Sequence, residues 1–219
     1  METMQDGVPQ VIQKKSMNRG LSLPIGNDKV KNWLCNLYKR EVERRKNEFI
    51  FTNELKLEIS QIGDFLTTEE RKYGLYLGGN VGNGKTTMLK AIRNIFVYLI
   101  EHEKLRYREG DKYPQFYKIS DVATLMSEGG SKNEFREIVS TQYLFLDDVG
   151  EEPTEIKRYG TTIRPLYKII DYRYENMLPT FLSSNLTASD IEKKYNDIRL
   201  TDRMYEMFKV IGFKGGSFR

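Results

Sequence analysis

At 219 residues the chain suits one domain of ordinary size plus a short extension, and it can bury about 70% of its unfolded surface without disulfides or a structural metal. A single cysteine, Cys35, and a single histidine, His102, exclude an internal disulfide and a zinc site built from the usual Cys and His ligands. No apolar run reaches the roughly 18 residues of a bilayer span and the N-terminus lacks a secretory-signal pattern, so a cytoplasmic protein with no membrane association is expected. The formal charge of +4, from 35 basic against 31 acidic residues, is a mild excess that permits nucleic-acid contact without requiring it.

Residues 1–28 carry Gly, Pro, Asn and Ser without a sustained period and read as a flexible arm with at most one ordered turn. Asp28 is placed to cap a helix in which Val30, Trp33, Leu34, Leu37 and Val42 recur near helical spacing. Its other face is basic, with Lys31, Lys39, Arg40, Arg44, Arg45 and Lys46. That is either a solvated face or a surface for nucleic acid or an acidic partner. An amphipathic stretch over 49–66 predicts a second helix, and the pattern changes near residue 67, dividing an extension (1–66) from the region that follows (67–219).

Tyr73–Leu77 predicts a short apolar strand, followed by a glycine-rich turn and a helix from Thr86 to about His102. Phe116–Ile119 predicts a second strand, with Asp121 placed to cap a short helix after it. A loop at MSEGGSKNE then leads to a helix over 133–140. Tyr143–Val149 predicts a third strand, 158–176 a helix, and Thr180–Ser184 a fourth strand. Polar loops, a helix around 197–207 and a last strand at Lys209–Phe213 complete the pattern. Short apolar strands alternating with helices predict an α/β fold whose parallel sheet is covered on both faces.

Residues 79–86, Gly-Asn-Val-Gly-Asn-Gly-Lys-Thr, complete the GxxxxGKT phosphate-binding pattern between a predicted strand and a predicted helix. Gly79, Gly82 and Gly84 let the backbone curl, so that amide hydrogens along Gly79, Asn80, Val81, Gly82, Asn83, Gly84, Lys85, Thr86 and Thr87 converge on phosphate oxygens. Lys85 is placed to reach the β- and γ-phosphates and the Thr86 hydroxyl to hold magnesium, so ATP with Mg2+ is the expected ligand. The strand YLFLDDVG ends in two carboxylates that are costly to bury without a counter-ion. Asp147 is the candidate metal-side carboxylate, and Asp148 the candidate to polarise an attacking water. Ser184 and Asn185 fall at the end of the next strand. Asn185 suits a contact to that water and the γ-phosphate, although a Ser-Asn pair after a strand also suits an ordinary turn.

These segments, with RLTDRM at 199–204 and GGSFR at 215–219, resemble the DnaC/DnaI/IstB-like branch of the AAA+ ATPases over roughly residues 70–219. The resemblance implies an AAA+ P-loop NTPase fold with a helical N-terminal extension and, since the chain stops at the terminal motif, no C-terminal helical lid. It implies slow ATP hydrolysis, self-association with ATP at subunit interfaces, and action on single-stranded or duplex DNA with a protein partner. That partner is a replicative helicase for a helicase loader and a transposase for a transposition helper; an ATP-binding assembly adaptor with little turnover is the third alternative. By resemblance Arg203 matches an arginine that reaches the neighbouring subunit's γ-phosphate. Arg199 shares its helix face, and Arg219 matches an arginine to which no role is assigned. Asp148 stands where many AAA+ proteins carry Glu. No cysteine cluster marks the N-terminal part, so partner recognition falls to the basic helical extension. For DNA, the loops around 121–136 and 150–165 offer Lys132, Lys157, Arg158 and Arg164 as phosphate contacts, with ordinary solvated charge as the alternative.

Overall fold

The computed structural model describes residues 21–69, 71–108 and 113–214. The arm over 1–20 and the terminal GGSFR with Arg219 lie outside the described residues. The helices are α1 (Asn27–Arg44), α2 (Asn53–Thr67), α3 (Lys85–Glu101), α4 (Ile119–Ser127), α5 (Lys132–Ser140), α6 (Pro165–Glu175), α7 (Ala188–Tyr195) and α8 (Ile198–Met207). The strands are β1 (Gly74–Gly79), β2 (Gln115–Lys118), β3 (Leu144–Val149), β4 (Ile156–Arg158), β5 (Thr161–Ile163), β6 (Thr180–Ser184) and β7 (Phe208–Phe213). Five of them pair in parallel in the order β2-β3-β6-β1-β7, while β4 and β5 form a separate antiparallel hairpin. Among the described residues no helix is long and apolar enough to cross a membrane.

Successive side chains on a strand face opposite ways, and the sheet uses both faces to bury apolar surface. Leu75, Leu77, Phe145, Phe181, Ile211 and Phe213 enter one core with α1, α2 and α3. Tyr76, Leu144, Leu146, Leu182 and Phe208 enter the other with α4, α5, α6 and α8. Phe145 and Phe181 are register partners on β3 and β6 and stack at 4.5 Å. Phe96 of α3 meets them edge-on at 5.8 and 5.1 Å, which fixes α3 across the centre of the sheet.

The N-terminal helices belong to this packing. Val30, Leu34 and Tyr38 of α1 and Leu55, Ile59, Ile62, Phe65 and Leu66 of α2 are buried in the same core as Leu89 and Ile92 of α3. The expected flexible arm over 1–28 is overturned at its C-terminal end. Leu21 and Leu23 are core residues, and the Leu23 amide donates to the Leu66 carbonyl at 2.7 Å. Two expected caps also move. Gly26 caps α1 and Lys118 caps α4, so Asp28 and Asp121 lie in the first turns, where their charges meet the positive helix ends.

Two segments differ from the sequence reading. The helix expected over 158–176 begins only at Pro165, whose fixed φ and missing N–H suit a first helical position and oppose an interior one. Residues 156–163 form the β4–β5 hairpin instead. Within the expected polar loops, α7 is nucleated by a capping box in which the Thr187 hydroxyl and the Asp190 carboxylate satisfy each other's backbone amides.

Arg173 on α6 is fully buried with no carboxylate beside it. It donates to Thr180 Oγ1 at 2.5 Å, to the Val139 and Thr141 carbonyls at 2.8 and 2.9 Å, and to the Pro179 carbonyl. Its guanidinium therefore satisfies the C-terminal end of α5 and the entry to β6. Arg173→Met should remove all of these bonds at once and cost about 3 kcal/mol or more in denaturant unfolding. A loss below about 1 kcal/mol would mean that water replaces the guanidinium without penalty.

Glu58 on α2 is buried and accepts from the Lys214 amide at 3.2 Å. Burial pushes its carboxyl up to about 7, opposed by the Lys214 bond and reinforced by Glu54. A carboxyl whose folded value is raised costs nothing below its unfolded value near 4.3, and weakens the fold as pH climbs through about 7. Glu58→Gln keeps the acceptor and removes the charge. Its unfolding midpoint should exceed the parent's at pH 8 by clearly more than at pH 5; an unchanging gap would contradict this.

Candidate functional site

The carboxyl ends of β1, β3 and β6 meet where the chain leaves the sheet in opposite directions, toward β2 on one side and β7 on the other. Such a switch point opens a crevice in parallel α/β sheets. Here it holds a cavity of about 580 Å³, within the range of small-molecule sites.

Its floor is the loop between β1 and α3. Gly79 (φ 150°) passes so close to the Phe213 carbonyl that a Cβ would collide with it, and Gly84 (φ 89°) packs as closely against the Tyr38 hydroxyl. Asn83 is buried, donating to the Phe213 carbonyl at 2.8 Å and accepting from Lys85 Nζ at 3.0 Å, so it clamps the loop to β7. Lys85 also donates to the Gly79 and Asn80 carbonyls at 2.8 and 2.7 Å. Burial pulls its ammonium below the usual lysine range, and the nearby Asp148 and Asp147 charges oppose that fall.

The acidic wall comes from β3. The register between β3 and β6 runs Leu146 to Leu182 and then Val149 to Ser184, so β3 carries one extra residue, a bulge. Without it, Asp147 and Asp148 would project from opposite faces. With it, Asp148 takes a left-handed conformation (φ 58°), which Asp tolerates better than most residues, and lines the cavity. Asp147 is almost fully buried. It accepts from the Thr86 hydroxyl at 2.9 Å and from the Ser183 hydroxyl, and burial pushes its carboxyl above the usual range. Ser183 Oγ also accepts from the Asp148 amide at 3.2 Å. Lys118, at the end of β2, pairs with Asp148 at 3.4 Å, and Asn185 Nδ2 donates to Glu151 Oε1 at 3.4 Å. Lys118, Asp148, Glu151 and Asn185 line one side of the cavity together with Val81, Gly82, Asn83, Gly84, Lys85, Thr86 and Thr87.

The lining also includes Tyr38 and Val42 of α1 and, from the segment between α1 and α2, Arg45, Asn47, Glu48, Phe49 and Ile50. The change of sequence pattern near residue 67 therefore does not divide the cavity. Burial, reinforced by the Glu58 charge, pushes the Tyr38 hydroxyl up to about 12, so it stays a neutral donor and acceptor at neutral pH. Of the basic residues on α1 and at its C-cap, Lys31 pairs with Asp64, Lys39 with Glu43, and Arg44 and the capping Arg45 with Glu41. Much of that basic face is thus neutralised internally.

Arg203 is not at this cavity. On α8 its side chain is 8% exposed, donates to Glu175 at 2.7 Å, pairs with Asp171, and lies 4.9 Å from the Tyr174 ring. Arg199 approaches the same Asp171 at 3.7 Å. Ser184 does not reach the cavity either: its hydroxyl donates to the Val149 carbonyl and accepts from the Leu186 amide at 3.0 Å. Among the basic loop residues, Arg164 pairs with Asp197 and Arg158 donates to the Met126 and Gly130 carbonyls, while Lys132 and Lys157 are exposed.

The sequence reading missed the group that shapes the acidic turn. Glu152 is buried and accepts from the Gly150 amide at 2.8 Å and from the Tyr195 hydroxyl. Lys194 donates to the Gly150 and Glu152 carbonyls. Burial and then the Glu152 carboxyl push the Tyr195 hydroxyl above the usual range. Nothing local separates Glu152 from its exposed neighbour Glu151, because Tyr195 lies on α7, 43 positions away. Glu152→Gln and Tyr195→Phe should each cost about 1–2 kcal/mol in denaturant unfolding. The double variant should cost less than their sum, whereas additive losses would show that the two groups do not act on each other.

No family model matches the chain. Among curated proteins it is similar to the replicative helicase loader DnaI of Bacillus subtilis (strain 168), with 28% identity over 123 residues. The match covers 56% of this chain and 36% of that protein, so the chain spans about a third of that relative's length. The fold is similar to the crystal structure of the DnaC helicase loader, at a TM-score of 0.51 and 22% identity over 76% of this chain and 94% of that one. It is also similar to AMPPCP-bound DnaA from Aquifex aeolicus, at a TM-score of 0.53 and 21% identity over 78% of this chain and 50% of that one.

Proposed function

From a chain that is DnaC/DnaI-like in sequence and of the AAA+ P-loop NTPase type in fold, we propose an ATP-dependent DNA replication accessory protein that acts as a replicative helicase loader. The observation that carries ATP use is the contact of cavity-lining Thr86 with Asp147, buried just beneath the cavity, beside the ammonium of Lys85. A glycine-rich loop at a helix N-terminus, a lysine, a hydroxyl and a carboxylate are the parts that hold a nucleoside triphosphate.

The donor set fits magnesium, which prefers oxygen ligands and takes few of them from protein. Thr86 and Asp147 supply a hydroxyl and a carboxylate 2.9 Å apart. Among the described residues no cluster of three or more His, Cys, Asp or Glu side chains forms a self-sufficient metal site. When bound, magnesium supplies charge neutralisation at the β- and γ-phosphates. In this reading Thr86 and Asp147 hold the ion, Lys85 holds the phosphates, Asp148 takes the proton of the attacking water and Asn185 orients that water. The wall from Tyr38 to Ile50 accommodates the nucleoside. Asp148 exchanges its solvent-exposed pair with Lys118 for that water.

Arg203 has no place in its own subunit's cavity, and this reading assigns it to the cavity of a neighbouring copy, where a guanidinium stabilises charge on the transferring phosphoryl group. Asp171 and Glu175 hold it on α8 until the copies assemble. The DNA and the helicase follow from the resemblance to helicase loaders, and the extension with α1 and α2 is the proposed partner-binding region. ATP turnover measured against protein concentration, with and without single-stranded DNA, tests the proposal. Turnover per subunit should rise with concentration, and Arg203→Ala should lower it by about 10³-fold while nucleotide binding survives. Turnover independent of concentration and unchanged in Arg203→Ala would contradict an interfacial ATPase.

A further inference from the structure

Asn185 lines the cavity with a side chain whose two ends are nearly alike in shape and opposite in hydrogen bonding: Oδ1 accepts and Nδ2 donates. Which end meets an attacking water decides what Asn185 can do for it. An oxygen that accepts one of the water's hydrogens leaves the water's lone pairs for attack. An N–H group would occupy one of those lone pairs instead.

The surroundings of Asn185 make that choice. Both of its neighbours in sequence are set against the turn that follows β3. Ser184 Oγ donates to the Val149 carbonyl, and Leu186 packs so closely on Gly150 (φ 101°) that a Cβ there would lie 2.6 Å from Leu186 Cδ1. The turn itself is closed by the Glu151 amide, which donates to the Asp148 carbonyl at 3.0 Å, and Glu152 braces it at the Gly150 amide. The backbone of Glu151 is thereby fixed relative to both Asp148 and the end of β6. From there Glu151 Oε1 lies 3.4 Å from Asn185 Nδ2, with both side chains on the cavity. A carboxylate carries acceptors only, so it holds the amine end of Asn185 and cannot hold the oxygen. Oδ1 is left on the far side of the amide.

We propose that Glu151 is a positioning residue for turnover: by holding Asn185 Nδ2 it turns Oδ1 to the attacking water. The inference rests on the reading above that this cavity hydrolyses ATP, and adds the group that sets the polarity of Asn185. In that step the water oxygen bonds to the γ-phosphorus while the bond from phosphorus to the bridging oxygen of the departing ADP breaks. One water proton passes to Asp148. The other is donated to Asn185 Oδ1 during the attack and stays on the new phosphate oxygen. Glu151 itself exchanges no proton.

The test is steady-state ATP turnover by the full chain, at a concentration where the rate per subunit has levelled, read beside equilibrium binding of an ATP analogue. Glu151 is exposed, so Glu151→Ala should keep the parent's melting temperature. Its kcat should fall about ten- to hundred-fold, while the analogue binds no more weakly than to the parent. Glu151→Gln keeps an acceptor at the same reach and should turn over within about three-fold of the parent. In an Asn185→Ala background Glu151→Ala should cost nothing further, because the tether then has nothing to hold. A parent-like kcat in Glu151→Ala, a Glu151→Gln as slow as Glu151→Ala, or the same loss in the Asn185→Ala background would overturn the positioning role and leave ATP turnover standing. Analogue binding without any turnover by the parent would overturn the reading beneath it as well.

Discussion

Two carboxylates in succession at the end of a buried strand impose a constraint that a regular strand cannot meet, because neighbouring side chains point to opposite faces. The extra residue in β3 resolves it, turning Asp148 toward the cavity while Asp147 stays beneath the phosphate loop. The Thr86–Asp147 hydrogen bond then joins the helix after β1 to β3, and Ser183 of β6 completes the junction by contacting both aspartates. One helix and two strands are thereby joined where the chemistry is proposed to occur. Glu152 braces the turn from below through Gly150 and Tyr195. The cost of burying Asp147 is visible in its raised carboxyl, and a bound cation is the natural relief for such a group.

The same junction gives the N-terminal helices their place. They cover the first core, and their continuation through Ile50 lines the cavity. Tyr38 is the pivot. Its ring is buried with α2 and α3, and its hydroxyl rests against Gly84 at the start of α3. A region that reads as an appendage in sequence thus lines the cavity in three dimensions.

The strands of the parallel sheet were legible because they are short, largely apolar runs ending in residues of a different kind, and Thr180–Ser184 lies within the same bounds in sequence and structure. The glycine-rich loop between β1 and α3 was legible because its sequence pattern is local. What escaped depends on distant partners. Glu152 looks like any solvated loop glutamate until α7 brings Tyr195 to it. Arg173 looks like a surface residue on an amphipathic helix until the end of α5 supplies its acceptors. Leu21 and Leu23 sit in a stretch without period, and packing in the first core with the α2 carbonyl at Leu66 orders them. The 158–176 segment was misread for a local reason: its apolar spacing from Leu166 onward is helical, but Pro165 marks the start of that helix. Arg203 lies away from the cavity of its own subunit, so its proposed role belongs to an assembly that no single chain displays.

The most direct test of the site is equilibrium binding of a fluorescent ATP analogue with and without magnesium, for the parent chain and for Asp147→Asn. If Thr86 and Asp147 hold the ion between loop and strand, magnesium should tighten nucleotide binding by the parent about ten-fold or more, and that gain should vanish in a folded Asp147→Asn variant. Nucleotide affinity that ignores magnesium, or a gain that survives the substitution, would contradict the assignment of this cavity to a metal-nucleotide complex.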